Sequence, residues 1–267
     1  MGGHGGLNLD LGDKLKNLRL YLRGLPSALL AFSGGVDSAL LAKIALQELG
    51  PERLLAVLVT APVFPMSEVE AARRLAQDMG LPLVTYAGRV MSNKSFLANP
   101  QQRCYICKKD MFAGLLALAQ ERGLAVVLDG ANADDSPQER PGMKAAAELG
   151  VVSPLRAAGL GKNEIRTLAR KLGLPVWDKP SFACLATRIP AGQPITPEKL
   201  AVVAAGESFL QGYGFRRLRV RHHGDLARIE VPPAQAGVLL KDAGRVAAFF
   251  KGLGFTYVTL DLAAGDG

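Results

Sequence analysis

From Pro26 onward the chain alternates short apolar runs with amphipathic stretches, and this alternation limits its fold more than any other feature. SALLAFS, RLLAVLVTA, LPLVTYAG and AVVLDGAN read as strands. DSALLAKIALQELG, SEVEAARRLAQDMG, a segment from about Tyr105 to ERG, and KNEIRTLARKLG read as helices. Short, glycine-ended connections join them, as expected where a left-handed residue stops a helix. Strand–helix alternation of this kind predicts an α/β class with a parallel sheet wound on both faces. The strands are nearly continuous apolar runs, which suits strands covered from both sides.

After QPITPEKL the pattern changes. A helix from about Thr196 to Leu210 leads into the strand FRRLRVR, the turn HHGD and the strand LARIEV. A second helix, PAQAGVLLKDAGRVAAFFKG, leads into FTYVTLDL. FLQGYGFRRLRV and FFKGLGFTYVTL align without gaps, so a helix–glycine–aromatic–strand unit occurs twice. Two copies are too few for a solenoid. The expectation is a loose Gly-rich tail over 1–13, a main domain over 14–193 and a small αββαβ domain over 194–267.

The 267 residues carry a net charge of +8 and a sequence pI near 9.5, which favours anionic partners: nucleotides, phosphorylated small molecules or RNA. No run approaches the roughly 18 apolar residues of a membrane-spanning helix. The start, MGGHGGLNLDLGD, lacks the basic-then-apolar pattern of a secretory signal. Three cysteines, an odd number, argue against a disulfide framework and for a reducing, cytoplasmic setting.

AFSGGVDSALL joins the first strand to the first helix of the alternation. Gly34 and Gly35 permit a tight turn and close backbone approach to a ligand, and Ser33 and Ser38 supply hydroxyls. The helix that follows presents free N–H groups and the positive end of its dipole, a fit for phosphate. The loop is neither GxxxxGK[ST] nor GxGxxG. Asp37 would repel phosphate unless it helps to hold a divalent cation such as Mg2+. An ordinary strand-to-helix turn with Ser and Asp as caps is the plainer reading.

The cysteines fall as C-x-x-C in RCYICKK, at Cys104 and Cys107, with Cys184 far downstream in PSFACLATRIPAG. A two-residue gap lets two thiolates reach one metal centre from a turn or helix start. Four readings stay open at this point. Three buried thiols are one, and a zinc site completed by His222 or His223 is another. A dithiol redox pair would leave Cys184 unexplained. A [4Fe–4S] cluster held by three thiolates, with one iron open to carry an extra sulfide, is the fourth.

SGGVDS resembles the pyrophosphate-binding loop of the PP-loop ATP pyrophosphatases. LDGANADD, at Leu128–Asp135, resembles their second signature, with Ala131 where a Thr is usual. The resemblance implies a Rossmann-like doubly wound sheet that binds ATP through Ser33, Gly34, Gly35, Asp37, Ser38, Gly130 and Asn132. The second strand's end, at Thr60, would meet the adenine.

The blocks RCYICKKDMF, DGANADD, RPGMKAAAELGVVSPL, GKNEIRTLARKLGLPVWDKPSFACLATRIP and RVRHHGDLARIEV together resemble the LarE family, from about Leu15 to Leu262. These are ATP-dependent sulfur transferases of nickel-pincer nucleotide synthesis. The resemblance implies adenylation of one carboxylate of a pyridinium biscarboxylate mononucleotide, pyrophosphate release, and displacement of AMP by sulfur. In that family the sulfur-bearing cysteine precedes a Ser-Arg pair, here Cys184 before Thr187 and Arg188. Members with three cysteines bind a [4Fe–4S] cluster, whereas others sacrifice the single cysteine. The three-cysteine pattern favours the cluster here, supplied by a sulfide donor, and the sacrificial route stays open. The family also suggests a homo-oligomer assembled through the second domain.

Several charged residues complete the candidate site. Arg217, Arg219 and Arg221 in FRRLRVRH would share one strand face as a guanidinium array for phosphate or carboxylate, with Arg219 and Arg221 favoured by the resemblance. A solvated basic face or an RNA-contacting patch is the alternative. Glu230 would balance that charge or help to hold a metal. Arg140 and Lys179 are cations beside the motifs, suited to phosphate or simply to the surface. Trp177, the one tryptophan, reads as a core anchor or a stacking partner. A PP-loop tRNA thiolase with three cysteines is the competing enzyme, although no RNA-binding appendage is evident and no stable nucleic-acid complex is expected.

Overall fold

The structure is a computed structural model that describes residues 10–136, 141–181, 183–215 and 217–263. The chain divides into two compact units. The first comprises residues 1–60, 66–90 and 104–179, and the second comprises 61–65, 91–103 and 180–267. The sequence suggested a single crossing point near 193. The second unit instead gathers three separate segments.

In the first unit, α1 (Leu11–Arg23) precedes β1 (Ala28–Ala31), α2 (Val36–Leu49), β2 (Leu54–Thr60), α3 (Met66–Asp78) and β3 (Leu83–Ala87). The brief α4 (Lys94–Leu97) belongs to the second unit, and α5 (Arg103–Glu121) leads back to β4 (Val126–Leu128). Then follow α6 (Gly142–Glu148), α7 (Pro154–Ala157) and α8 (Lys162–Lys171). Helix α1 starts inside the stretch expected to be a loose tail. Asp10 caps it by accepting the Asp13 N–H at 2.8 Å, and Leu18 and Leu22 are buried.

The four strands pair in the order β3-β2-β1-β4, all parallel, as the alternation implied. Successive side chains in a strand face opposite ways. Leu29, Val57 and Val127 therefore share one face, and they pack with Phe112 and Leu115 of α5. Leu30 and Ala56, equally buried, face the other way. Helix α2 contacts α1, α7 and α8. The sheet is thus Rossmann-like, and its first strand ends where the glycine loop begins.

The second unit holds α9 (Pro197–Gln211), β5 (Arg219–His223), β6 (Leu226–Glu230), α10 (Ala236–Lys241), α11 (Ala243–Gly252) and β7 (Tyr257–Leu260). Strand order is β5-β6-β7, with β5 antiparallel and β7 parallel to the central β6. The repeated unit is visible in this sheet. Gly214 and Gly254 both take positive φ (84° and 98°), and Phe215 and Phe255 are both buried after them. Phe209 and Phe249, equivalent in the two copies, stack at 3.9 Å. The single helix expected over 233–252 is instead a short turn and two helices broken at Asp242, whose carboxylate accepts the Tyr213 hydroxyl at 2.5 Å. Arg217 lies before the strand rather than on it.

Candidate functional site

The glycine loop follows β1 directly. Gly34 has φ +70°, and a Cβ built there would stand 2.6 Å from the Ala72 Cβ and 2.9 Å from its Cα. Only glycine fits both the backbone angle and the space. Gly35 is the N-cap of α2, and its carbonyl takes the first helical hydrogen bond from Ala39 at 2.9 Å. The Ser33 and Ser38 hydroxyls are 3.0 Å apart, and Ser38 also donates to the Gly35 carbonyl at 3.1 Å. These contacts fix the turn and hold both hydroxyls at the N-terminus of a 14-residue helix. That end has the polarity and shape that suit an anion.

The second signature adjoins this turn. A Cβ on Gly130 would lie 3.1 Å from the Ser38 amide nitrogen, so glycine allows β4's exit to approach α2. Asn132 is buried, and its Nδ2 donates to the Asp37 carboxylate at 3.2 Å. Its own backbone is fixed by Asp135, which accepts the Asn132 N–H at 3.0 Å. Ala131, in place of the usual Thr, contributes its backbone N–H to Asp129 at 3.2 Å, and Ser153 donates to the same oxygen at 2.6 Å.

Sequence reading missed the cation of this site. Lys162 Nζ forms an ion pair with the Asp37 carboxylate. It is held in place at the start of α8, where Asp134 accepts the Lys162 N–H at 2.6 Å and Glu164 accepts the Gly161 N–H at 2.9 Å. Asp37 therefore already has one positive partner at the position where a divalent cation was expected. A carboxylate of this kind suits Mg2+, which binds proteins through one or two carboxylates and completes its shell with phosphate and water.

Cys104 and Cys107 are the second and fifth residues of α5, whose start precedes the position near Tyr105 expected from the sequence. Cys184 opens a short 3-10 turn, Leu185–Arg188, in the second unit. All three are partly buried. Among the described residues no group of three or more His, Cys, Asp or Glu is placed to hold a metal ion. His222 and His223 end β5 in the second unit. Burial drives both below their ordinary pKa, aided by Lys199 near His222 and Arg228 near His223.

The other site residues of the second unit converge on one another. Thr187 donates its hydroxyl to the Cys184 carbonyl at 2.8 Å and accepts from Arg188 Nη1 at 2.8 Å. Arg188 Nε reaches Glu207 at 2.6 Å, and both side chains are almost wholly buried. The same Glu207 oxygen accepts the Val220 N–H at 3.1 Å, tying β5 to the turn. Arg221 donates to the Thr187 carbonyl at 2.8 Å and grips Glu230 with two bonds of 2.8 and 3.0 Å.

This separates two arginines that the sequence treated alike. Arg221 is neutralised by Glu230 and holds the turn. The Arg219 guanidinium makes no hydrogen bond or ion pair among the described residues, although Glu230 and Glu207 are within electrostatic reach. Burial, together with neighbouring Arg188 and Arg221, pushes its pKa down. A partly buried cation beside two others is an environment that an anion would relieve. Glu230 is committed to Arg221 and also accepts from Arg228 at 2.9 Å. Burial acts to raise its pKa, yet the two guanidiniums hold the carboxyl below its ordinary value. Of the two roles suggested for it, charge balance is the one the geometry displays.

Three remaining candidates stand as follows. Lys179 pairs with Glu68 at 2.7 Å. Trp177 is 37% exposed with Arg170 over its ring, so it is not a core anchor. Arg140 lies outside the described residues. Thr60 ends β2, where its carbonyl accepts the Gly88 N–H at 2.8 Å. No helix among the described residues is long and apolar enough to cross a membrane.

Comparison with known proteins agrees with the loop geometry. Residues 13–102 match the family model described as NAD synthase. The chain is 42% identical to slr1717, an uncharacterised protein of Synechocystis sp., over 94% of each chain. It is 37% identical to the pyridinium-3,5-bisthiocarboxylic acid mononucleotide synthase of Lactiplantibacillus plantarum, over 94% of this chain and 91% of that one. A subunit of the glutamine-hydrolysing GMP synthase of Pyrococcus abyssi is 26% identical over 74% of this chain and 68% of its own length. With SGGVDS seated at a strand-to-helix turn and the likeness running through both units, the chain belongs to the LarE family of the PP-loop ATP pyrophosphatase superfamily.

Proposed function

We propose that this protein is an ATP-dependent sulfur transferase. It adenylates a carboxylate of pyridinium-3,5-biscarboxylic acid mononucleotide, releases pyrophosphate, and replaces AMP with sulfur to give a thiocarboxylate. The observation that carries the reading is the network joining the Cys184 turn to β5. Cys184, Thr187, Arg188, Arg221 and Glu230 are linked in it, beside the unpaired Arg219. A cysteine-bearing turn beside a cationic strand is what delivery of sulfur to an anionic mononucleotide requires.

The residues divide the chemistry as follows. The N–H groups at the start of α2 and the Ser33 and Ser38 hydroxyls take the pyrophosphate end of ATP. Asp37 would hold Mg2+ arriving with the phosphates, which neutralises charge as the α–β bond breaks. Lys162, released from Asp37 on that arrival, is placed to carry positive charge to the phosphates. Arg219 receives the substrate's phosphate or second carboxylate, and Arg221 keeps the turn in register. A carboxylate resists nucleophiles, and adenylation supplies AMP as a leaving group. A thiolate-derived sulfur is a strong nucleophile at neutral pH.

Cys104, Cys107 and Cys184 are the residues that would hold a [4Fe–4S] centre, which when bound would supply sulfide. Whether sulfur comes from a [4Fe–4S] centre of Cys104, Cys107 and Cys184 or from Cys184 itself is decided by intact mass after turnover. Loss of the elements of hydrogen sulfide from Cys184 supports sacrifice. Unchanged mass with repeated turnover supports delivered sulfide. In either case Cys184→Ala should abolish thiocarboxylate formation while ATP binding persists, and undiminished product would remove the assignment. Pyrophosphate release that depends on tRNA rather than on the mononucleotide would favour the thiolase reading instead.

A further inference from the structure

Among the described residues, Asn99 is the one non-glycine with positive φ, at 55°. It is completely buried, and its side chain is fully engaged. Nδ2 donates towards three carbonyls, those of Ile189 at 3.2 Å, Pro190 at 2.7 Å and Gln193 at 2.9 Å. Oδ1 accepts from Arg103 Nη1 at 3.2 Å. The backbone adds to this brace, since Gly192 N–H reaches the Asn99 carbonyl and Ile195 N–H the Leu97 carbonyl, both at 2.8 Å. The braced segment, 189–195, directly continues the turn that carries Cys184, Thr187 and Arg188. On its other side the brace holds Arg103, the residue bonded to Cys104.

Core packing does not demand this residue. An apolar side chain would leave the buried Ile189 carbonyl and the partly buried Pro190 and Gln193 carbonyls without that donor, and most residues resist the left-handed backbone, which asparagine tolerates. We propose that Asn99 is a positioning residue for sulfur transfer, fixing the Cys184–Arg188 turn while leaving ATP cleavage unaffected. The proposal rests on the sulfur-transferase reading above. Carboxamide and carbonyls form a hydrogen-bonded polar node, the kind of support that keeps a reacting group within its productive geometry.

The test uses the full chain with Asn99→Gly and Asn99→Ala. Glycine keeps the backbone angle and deletes the brace, whereas alanine deletes the brace and adds strain. Three readouts are compared: mononucleotide-dependent pyrophosphate release, thiocarboxylate formation by mass, and iodoacetamide labelling of Cys184 against Cys107. Asn99→Gly should keep pyrophosphate release within about twofold and lose on the order of 10- to 100-fold in thiocarboxylate formation, the scale of a misplaced reacting group. Labelling of Cys184, but not Cys107, should quicken as the turn loosens. A normal glycine variant beside an impaired alanine variant would assign the effect to the backbone and overturn the proposal. Equal loss of both half-reactions, or unchanged Cys184 labelling, would also overturn it. Should the wild-type protein form no thiocarboxylate, the functional reading fails, and the labelling comparison still decides whether Asn99 holds the turn.

Discussion

Replacing Lys162 with methionine separates a structural cation from a working one. Lys162 and Asp37 form an ion pair whose side chains are 25% and 20% exposed. Asp37 keeps a second partner in Asn132. Partly solvated pairs of this kind contribute about 1 kcal/mol or less to stability. Methionine preserves the aliphatic stem, so unfolding by urea should shift little. Catalysis carries a different magnitude. A charged donor aimed at a developing phosphate charge typically accounts for a factor of about 10²–10³ in rate. The expectation is therefore a nearly unchanged urea midpoint with pyrophosphate release reduced about 100-fold or more. Asp37→Asn should mirror the rate loss and also weaken the dependence on Mg2+. Two results would refute the reasoning: a Lys162→Met protein that keeps half its pyrophosphate release, or one destabilised by several kcal/mol. The first removes the cation from the chemistry, and the second makes it a fold determinant.

Further outcomes follow from the same geometry. Glu207→Ala removes the carboxylate that answers both the buried Arg188 charge and the Val220 N–H, and should cost about 3–5 kcal/mol in urea unfolding of the second unit. Glu207→Gln, which keeps an acceptor, should cost less. Gly34→Ala must adopt φ +70° against the Ala72 backbone, and should lose about 2 kcal/mol or more along with ATP affinity by titration calorimetry. His222 and His223 have folded pKa values below their ordinary 6.5, so their contribution to stability is complete above that value. It is lost as pH falls through the depressed folded values, because the unfolded chain takes up protons first. Thermal melts should be flat above about pH 7 and decline below about 6.5, and a His222→Gln, His223→Gln double variant should flatten that decline until the carboxylates titrate.

The strands were legible because doubly covered strands must be apolar throughout, as in LLAVLVT of β2, where no periodicity is needed to find them. The glycine loop was legible because Gly34 and Gly130 answer to steric demands that local sequence announces. What escaped are residues whose partners lie far away in the chain. Lys162 meets Asp37 across 125 positions, and nothing local marks it except its place just after Gly161. Glu207 in AGESFL looks like an exposed helix residue, yet it is 5% exposed because Arg188 reaches it. Asn99 stands before a proline and reads as an ordinary turn. Helix α1 did leave a signal, since Asp10 and Asp13 are spaced as N-cap and N3, but the glycines before it masked the start. The three-part second unit was not legible at all, because residues 61–65 and 91–103 carry no feature that separates them from the main sheet.

The arrangement of charges on β5 gives two arginines two residues apart different surroundings. A guanidinium offers five N–H donors, and Arg221 already directs three of them to Glu230 and the Thr187 carbonyl. Its charge is matched, and its geometry is fixed from two sides. An anion arriving there would have to compete with a bidentate carboxylate. Arg219 is on the same strand face, opposite Glu230 in the β5–β6 register, and its guanidinium makes no hydrogen bond or ion pair among the described residues. Glu207 balances Arg188 in turn, so the net positive charge of this cluster is concentrated on one side chain. Exchanging the roles is therefore informative. Arg219→Met should raise the KM for the mononucleotide by about tenfold or more and leave the fold intact, as loss of a single charge-assisted contact predicts. Arg221→Met should instead lower kcat, because the Thr187 carbonyl loses its anchor and Glu230 is left with Arg228 alone. If Arg221→Met changed only KM and Arg219→Met only kcat, the division of labour read from these contacts would be reversed.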